Sequence, residues 1–219
     1  MVWRVFLLLV GIGIMSFGVS LTVVAGIGTT TNSSLPVALA AITDLSVGQL
    51  TIVFNFVYVA VQILLLRSRY QWIQLLQLVT GLIFGLLIDA TAPLVEPLRP
   101  EHYWQELGLA LIGVVGMGIG IGMQVGANLI NLPGEGFVVA ITSALRRRFG
   151  PRPRLHFGTV KTVSDLVHVA VAAALGLIFL GHLEGVREAT IIAALSLGAI
   201  SKTVLNRLPH YPPIVRPKE

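Results

Sequence analysis

Apolar residues in this chain collect into six long blocks, separated by short breaks rich in charge or proline. A helix needs about 20 such residues to cross the hydrocarbon layer of a bilayer. The blocks therefore predict transmembrane helices over 3–27, 46–67, 71–92, 104–128, 157–181 and 187–208. The first run, Val5 to Ile27, is longer than a signal-peptide core and has no clear small-residue cleavage site, so it is expected to be a retained helix. After the last block, Pro209 to Glu219 contains four prolines and is expected to form a flexible tail, 209–219.

Two connections are too long and too apolar for simple hairpins, 28–45 and 129–156. Each holds a short apolar piece, Leu35 to Ile42 and Phe137 to Leu145, that cannot span a membrane. Each piece follows helix-start chemistry: Asn32, Ser33 and Ser34 with Pro36 in the first, and Pro133 to Gly136 in the second. They predict short helices, either re-entrant or lying on the surface. Re-entry is favoured because irregular backbone is tolerated at membrane depth where protein or a cavity covers it.

Composition agrees with a membrane class: of 219 residues, 55% are hydrophobic and only 11% charged, leaving too little charge for a soluble domain of this size. With no cysteine there is no disulfide, thiolate metal site or cysteine nucleophile. The net charge of +5 is spread through the loops and lies on no helical face, which argues against nucleic acid as a partner. The loop charges instead set orientation. With a cytoplasmic N-terminus, the inner side receives Arg4, Arg67, Arg69, Arg146, Arg147, Arg148, Arg152, Arg154, Arg207, Arg216 and Lys218. The outer side receives only Arg99 and Arg187, so both termini are expected inside.

The chain also matches itself weakly. Gly18, Val23 and Ala25 align with Gly120, Val125 and Ala127, and Val37 and Ala38 align with Val139 and Ala140. Phe54 to Val61 lies over Ser164 to Val171, and Leu82, Gly85 and Asp89 fall over Leu195, Gly198 and Lys202. Three spans per half is an odd number, so the two halves, 1–95 and 104–208, must face opposite ways. The expected fold is all-α: six transmembrane helices as two inverted three-helix repeats, each with a short helix after its first span.

Several motifs in order carry a family likeness: Ser33-Ser34-Leu35-Pro36, Ser46-Val47-Gly48, Gln74 to Leu78, Phe84-Gly85 to Asp89, Leu132-Pro133-Gly134-Glu135-Gly136, Phe157-Gly158 to Lys161 and Asp165, and Gly185 to Thr190. Together they resemble the YczE/YitT-like bacterial integral membrane proteins over nearly the whole chain. One departure is Thr29 to Asn32, where that likeness would place a proline-containing turn. The resemblance implies a bacterial inner-membrane protein and lends no biochemical function.

Ionisable groups inside spans cost about 2.5–3.5 kcal/mol or more at the bilayer centre, so each needs a reason. Lys161, Asp165 and His168 share one face of the fifth span at i, i+4 and i+7. Their counterparts Thr51, Asn55 and Tyr58 make a neutral polar stripe in the second. Either Lys161 and Asp165 merely neutralise each other, or Asp165 is a proton or cation site on a hydrated pathway with Lys161 as counter-charge. Glu135, between two glycines at the start of the second short helix, is either a cap favoured by the helix dipole or a contact for a cationic group or coupling proton. Asn32 and Ser33 hold the matching place in the first. Asp89 and Lys202 read as end-of-helix groups.

Gly116, Gly118, Gly120 and Gly122 lie in an apolar helix with no preceding strand, which makes them helix-packing positions and not a nucleotide loop. No motif for a cofactor, a metal or a nucleophile is present, and no enzyme activity is expected. The best-supported expectation is a secondary transporter or permease for a small polar or charged solute. A membrane accessory or scaffold protein is the alternative, and a passive channel ranks third. The expected partners are the lipid bilayer and the unknown solute, with a homo-oligomer as one arrangement the composition allows.

Overall fold

The computed structural model describes residues 1–150, 152, 155–209 and 211. The expected flexible tail, apart from Pro209 and Tyr211, lies outside the described residues, as does Arg154 of the basic loop. The described residues form eight α-helices with short 3-10 and π extensions and no strand. They are α1 (Val2–Ala25), α2 (Thr31–Ala40), α3 (Val47–Leu66), α4 (Leu76–Val95), α5 (Tyr103–Ala127), α6 (Pro133–Phe149), α7 (Phe157–Leu175) and α8 (Glu188–Leu205). Among the described residues six helices are long and apolar enough to cross a membrane, all but α2 and α6.

The centre of the bundle is the pair α1 and α5, which forms the largest contact in the molecule. They pack so closely because glycines face backbone. A methyl on Gly11 would meet the Gly120 carbonyl at 2.8 Å, and one on Gly18 would meet that of Gly113 at 2.6 Å. The reverse also holds: Gly113 faces the Gly18 carbonyl and Gly120 faces that of Gly11. As the numbers rise along one helix they fall along the other, so the pair is antiparallel. Small residues allow this approach, and in lipid close packing must supply the association that hydrophobicity cannot. Gly118 and Gly122 seat Ile200 and Val204 of α8 in the same way, whereas Gly116 meets only Ile14 at 3.9 Å, ordinary contact with no need of a glycine.

The two ends of this pair are finished alike. α1 ends at Gly26 and α5 at Asn128, both in the left-handed region (φ 73° and 47°), with N–H bonds back to Val23 and Val125. Such turns satisfy carbonyls that the last helical turn leaves free. Arg187 donates to the Gly26 carbonyl, and Arg4 to those of Ala127 and Asn128.

Around this centre α4 packs on α1, and α8 on α5. The short helices cross over, α2 lying against α7 and α6 against α3. Both are longer than their apolar pieces. Thr30 caps α2 by accepting from the Ser33 N–H, so the departure at Thr29 to Asn32 still begins a helix without proline at the turn. In α6, Arg146, Arg147 and Arg148 extend the helix, since cations suit the negative end of the dipole.

Candidate functional site

The N-termini of α2 and α6 meet inside the bundle. A methyl on Gly134 would lie 3.7 Å from Asn32 and 3.8 Å from the Tyr58 ring. The start of α6 is held there by α3 and α4. Gln62 donates to the Pro133 carbonyl (3.0 Å) and to Gln77 (3.3 Å), and Gly136 fits against both amides. Gln62 was not singled out from sequence, although it continues the Thr51, Asn55 and Tyr58 stripe by one further turn.

Beside this meeting point is a cavity of about 340 Å³ to which all eight helices contribute. Its polar side is built from Asn32 and Ser33 of α2, Thr51, Asn55 and Tyr58 of α3, and Glu135 of α6. Lys161 and Asp165 of α7 complete it, with Ser201 of α8. The rest of the lining is largely apolar and includes Met15, Phe84, Met117, Ile121 and Leu197. The structure thus brings together every candidate pathway residue, with His168 attached from just outside the lining.

Lys161 donates to both carboxylate oxygens of Asp165 at 3.0 and 2.9 Å, the neutralising pair expected from their spacing. His168 is fixed by two bonds. Its Nδ1 lies 2.7 Å from the Ser164 carbonyl, which can only accept, so Nδ1 carries the proton. Its Nε2 is then the acceptor for the Tyr58 hydroxyl at 2.7 Å. Glu135 differs: among the described residues no side chain donates a hydrogen bond to its carboxylate. Enclosure raises its carboxyl above the ordinary value of 4.5, and nearby Lys161 opposes that shift.

The walls of the cavity differ in how tightly they are sealed. α3 lies against α4: a methyl on Gly48 would strike the Gly85 carbonyl and Asp89, and one on Gly81 would meet Asn55. Asn55 donates across this seam to the Gly81 carbonyl at 3.3 Å. One end of this seam is locked by Asp89, which accepts from the Ser46 hydroxyl (2.6 Å) and from the Gly48 N–H (2.9 Å). The carboxylate thus caps a neighbouring helix, with charge-assisted bonds at the positive end of its dipole. Asp89 is more than an end-of-helix group. α7 and α8 make at most isolated contacts. A methyl on Gly198 would meet nothing within 4 Å, and one on Gly158 only the nearby His156 ring. Lys202 is exposed.

A family model matches residues 2–206, nearly the whole chain; it describes a family of unknown function, DUF6198. The chain belongs to DUF6198. No curated protein and no solved structure matches it. In this DUF6198 protein the cavity and its walls are the features that bear on function. Among the described residues no cluster of His, Asp or Glu has a geometry able to hold a metal ion.

Proposed function

We propose that the protein is a secondary transporter or permease, moving a small polar or charged solute by alternating access between two inverted halves, residues 1–95 and 104–208. The observation that carries this reading is one cavity bordered by two corresponding helix seams, α3 with α4 and α7 with α8, the first shut and the second parted.

A pseudo-two-fold relation between the halves is supported by reciprocity. In a two-fold interface residue i meets j' wherever j meets i', and residues on the axis meet their own counterparts. Gly11 with Gly120 and Gly18 with Gly113 obey the first condition. Tyr58 with His168, and Asn32 beside Gly134, obey the second. In an antiparallel pair such an axis lies in the membrane plane, the arrangement on which alternating access depends. A static pair of seals would be expected to match; unequal seals around a polar cavity are what one end state of a rocking cycle looks like. The likeness to YczE/YitT-like proteins and the loop charges support a bacterial inner-membrane location with both termini cytoplasmic. An accessory role would suit polar stripes closed off in pairs, whereas here Glu135 faces the cavity unpaired.

The chain has no cysteine, so labels can be introduced without background. Spin labels at V53C with L86C report the α3/α4 seam, and at V163C with A199C the α7/α8 seam; all four positions are exposed. In lipid nanodiscs the expected result is a short α3/α4 and a long α7/α8 separation, with a minor population in which the order is reversed. One unchanging separation in each pair, at every pH and in the presence of candidate solutes, would sink the reading.

A further inference from the structure

The cavity has two poles of opposite sign that lie side by side. One is Glu135. The cavity lining carries two carboxylates and one ammonium, and Lys161 is committed to both oxygens of Asp165. Glu135 is thus the negative charge left without a hydrogen-bonding partner among the described residues, half-buried and facing the cavity. A carboxylate that faces a cavity in that state can take its donors from a ligand, and an ammonium group supplies three.

The other pole is the start of α2, a ten-residue helix with no acidic residue in its first turn. Thr30 takes up the N–H groups of Ser33 and Ser34. The N–H groups of Thr31 and Asn32 precede the first intrahelical bonds and have no acceptor within the helix. Thr31 and Asn32 line the cavity, so the positive end of the α2 dipole adjoins it. The two short helices differ on this point: α6 has Glu135 in its own first turn, and α2 has no acid to answer its dipole. The contact between Asn32 and Gly134 sets the two poles next to each other.

We infer that the solute is a small zwitterion with adjacent ammonium and carboxylate groups and an apolar side chain, of the α-amino-acid type. Its ammonium sits on Glu135 and its carboxylate on the first turn of α2. Its side chain lies on the apolar wall made by Met15, Phe84, Met117 and Leu197. Such a ligand satisfies both poles without adding net charge to the site, which a simple cation or anion cannot do. The cavity volume is within the range of about 300–1,000 Å³ for sites of small organic ligands. This inference rests on the transport reading and names the class of its solute.

The test is ligand binding by the full chain in nanodiscs, read as thermal stabilisation and by calorimetry. The probes are leucine, methionine and phenylalanine, with two analogues of leucine that each lack one pole: 3-methylbutylamine and 4-methylpentanoate. At least one amino acid is expected to bind, with each one-pole analogue at least tenfold weaker than leucine. Glu135→Gln is expected to weaken amino-acid binding at least tenfold while the empty variant still unfolds cooperatively. An amine that binds as well as leucine would overturn the inference in favour of a cation site, and an equally good acid in favour of an anion site. No response to any amino acid would also overturn it. If Glu135→Gln fails to fold, the probe series on the unaltered chain decides alone. Seam distances that interconvert while no zwitterion binds would defeat this inference and leave transport standing. Binding with immobile seams would do the reverse.

Discussion

The α3/α4 and α7/α8 seams are made from matching residues and end up in different states. Gly48 and Gly85 in one, Gly158 and Gly198 in the other, give both pairs of helices the small surfaces needed for close approach. Only the first pair uses them. The difference lies in the polar residue at the rim. Asp89 puts a carboxylate on the N-terminus of α3, where the dipole and two donors welcome it. Its counterpart is Lys202, a cation, which the N-terminus of α7 would repel. The glycines permit a seam to close, and a charge of the right sign at its rim holds it shut.

The largest effect that would break this comparison comes from filling the glycines. Gly48→Leu forces side-chain atoms into the Gly85 carbonyl and Asp89, and should destabilise the protein by about 3 kcal/mol, the upper end of overpacking costs. Gly198→Leu enters open space and should change stability by less than about 0.5 kcal/mol. Equilibrium unfolding in detergent micelles measures both; equal costs would mean that the second seam is packed after all.

A smaller effect is expected from the lock. Asp89→Asn removes the charge from two hydrogen bonds and should cost about 1–2 kcal/mol, while lengthening the spin-label separation across α3/α4. The double variant His156→Ser with Lys202→Asp copies the lock into the other half, and should shift α7/α8 towards short separations. If the transplanted lock leaves the distance distribution unchanged, rim charge does not set the state of the seam.

A further effect is a dependence on pH. Burial raises the Glu135 carboxyl above its ordinary 4.5 in the folded protein. Between that value and the raised one the folded state holds more proton than the unfolded state, so stability is greatest below 4.5 and falls as pH rises through the window. Lys161 opposes the shift. Glu135→Gln should remove this slope from unfolding curves taken at successive pH values, while Asp89→Asn should not.

Hydropathy alone located the six spans to within a few residues, because length and apolarity are local properties that a bilayer reads directly. The Lys161–Asp165 pair was legible for the same reason: i, i+4 spacing on a helix decides who meets whom. The role of Asp89 was not. Its partners lie more than forty residues away on another helix, and nothing in its neighbourhood separates a helix-end carboxylate from a cap on a different helix. Glu135 was flagged from its glycine neighbours, yet what makes it unusual is the absence of a donor, and that depends on which helices surround it. The place of Gln62 could have been read by extending the α3 polar stripe one turn. The parting of α7 from α8 could not, since the glycines that would close it are present.

The backbone contact between α1 and α5 has a mechanical consequence. Where two helices touch through glycine and carbonyl, no intervening side chain can change rotamer to let one slide on the other. In the proposed transport cycle the central pair would act as a stator. Any stroke the molecule makes must be taken up at the periphery, by α3, α4, α7 and α8 turning about a shaft that itself stays still.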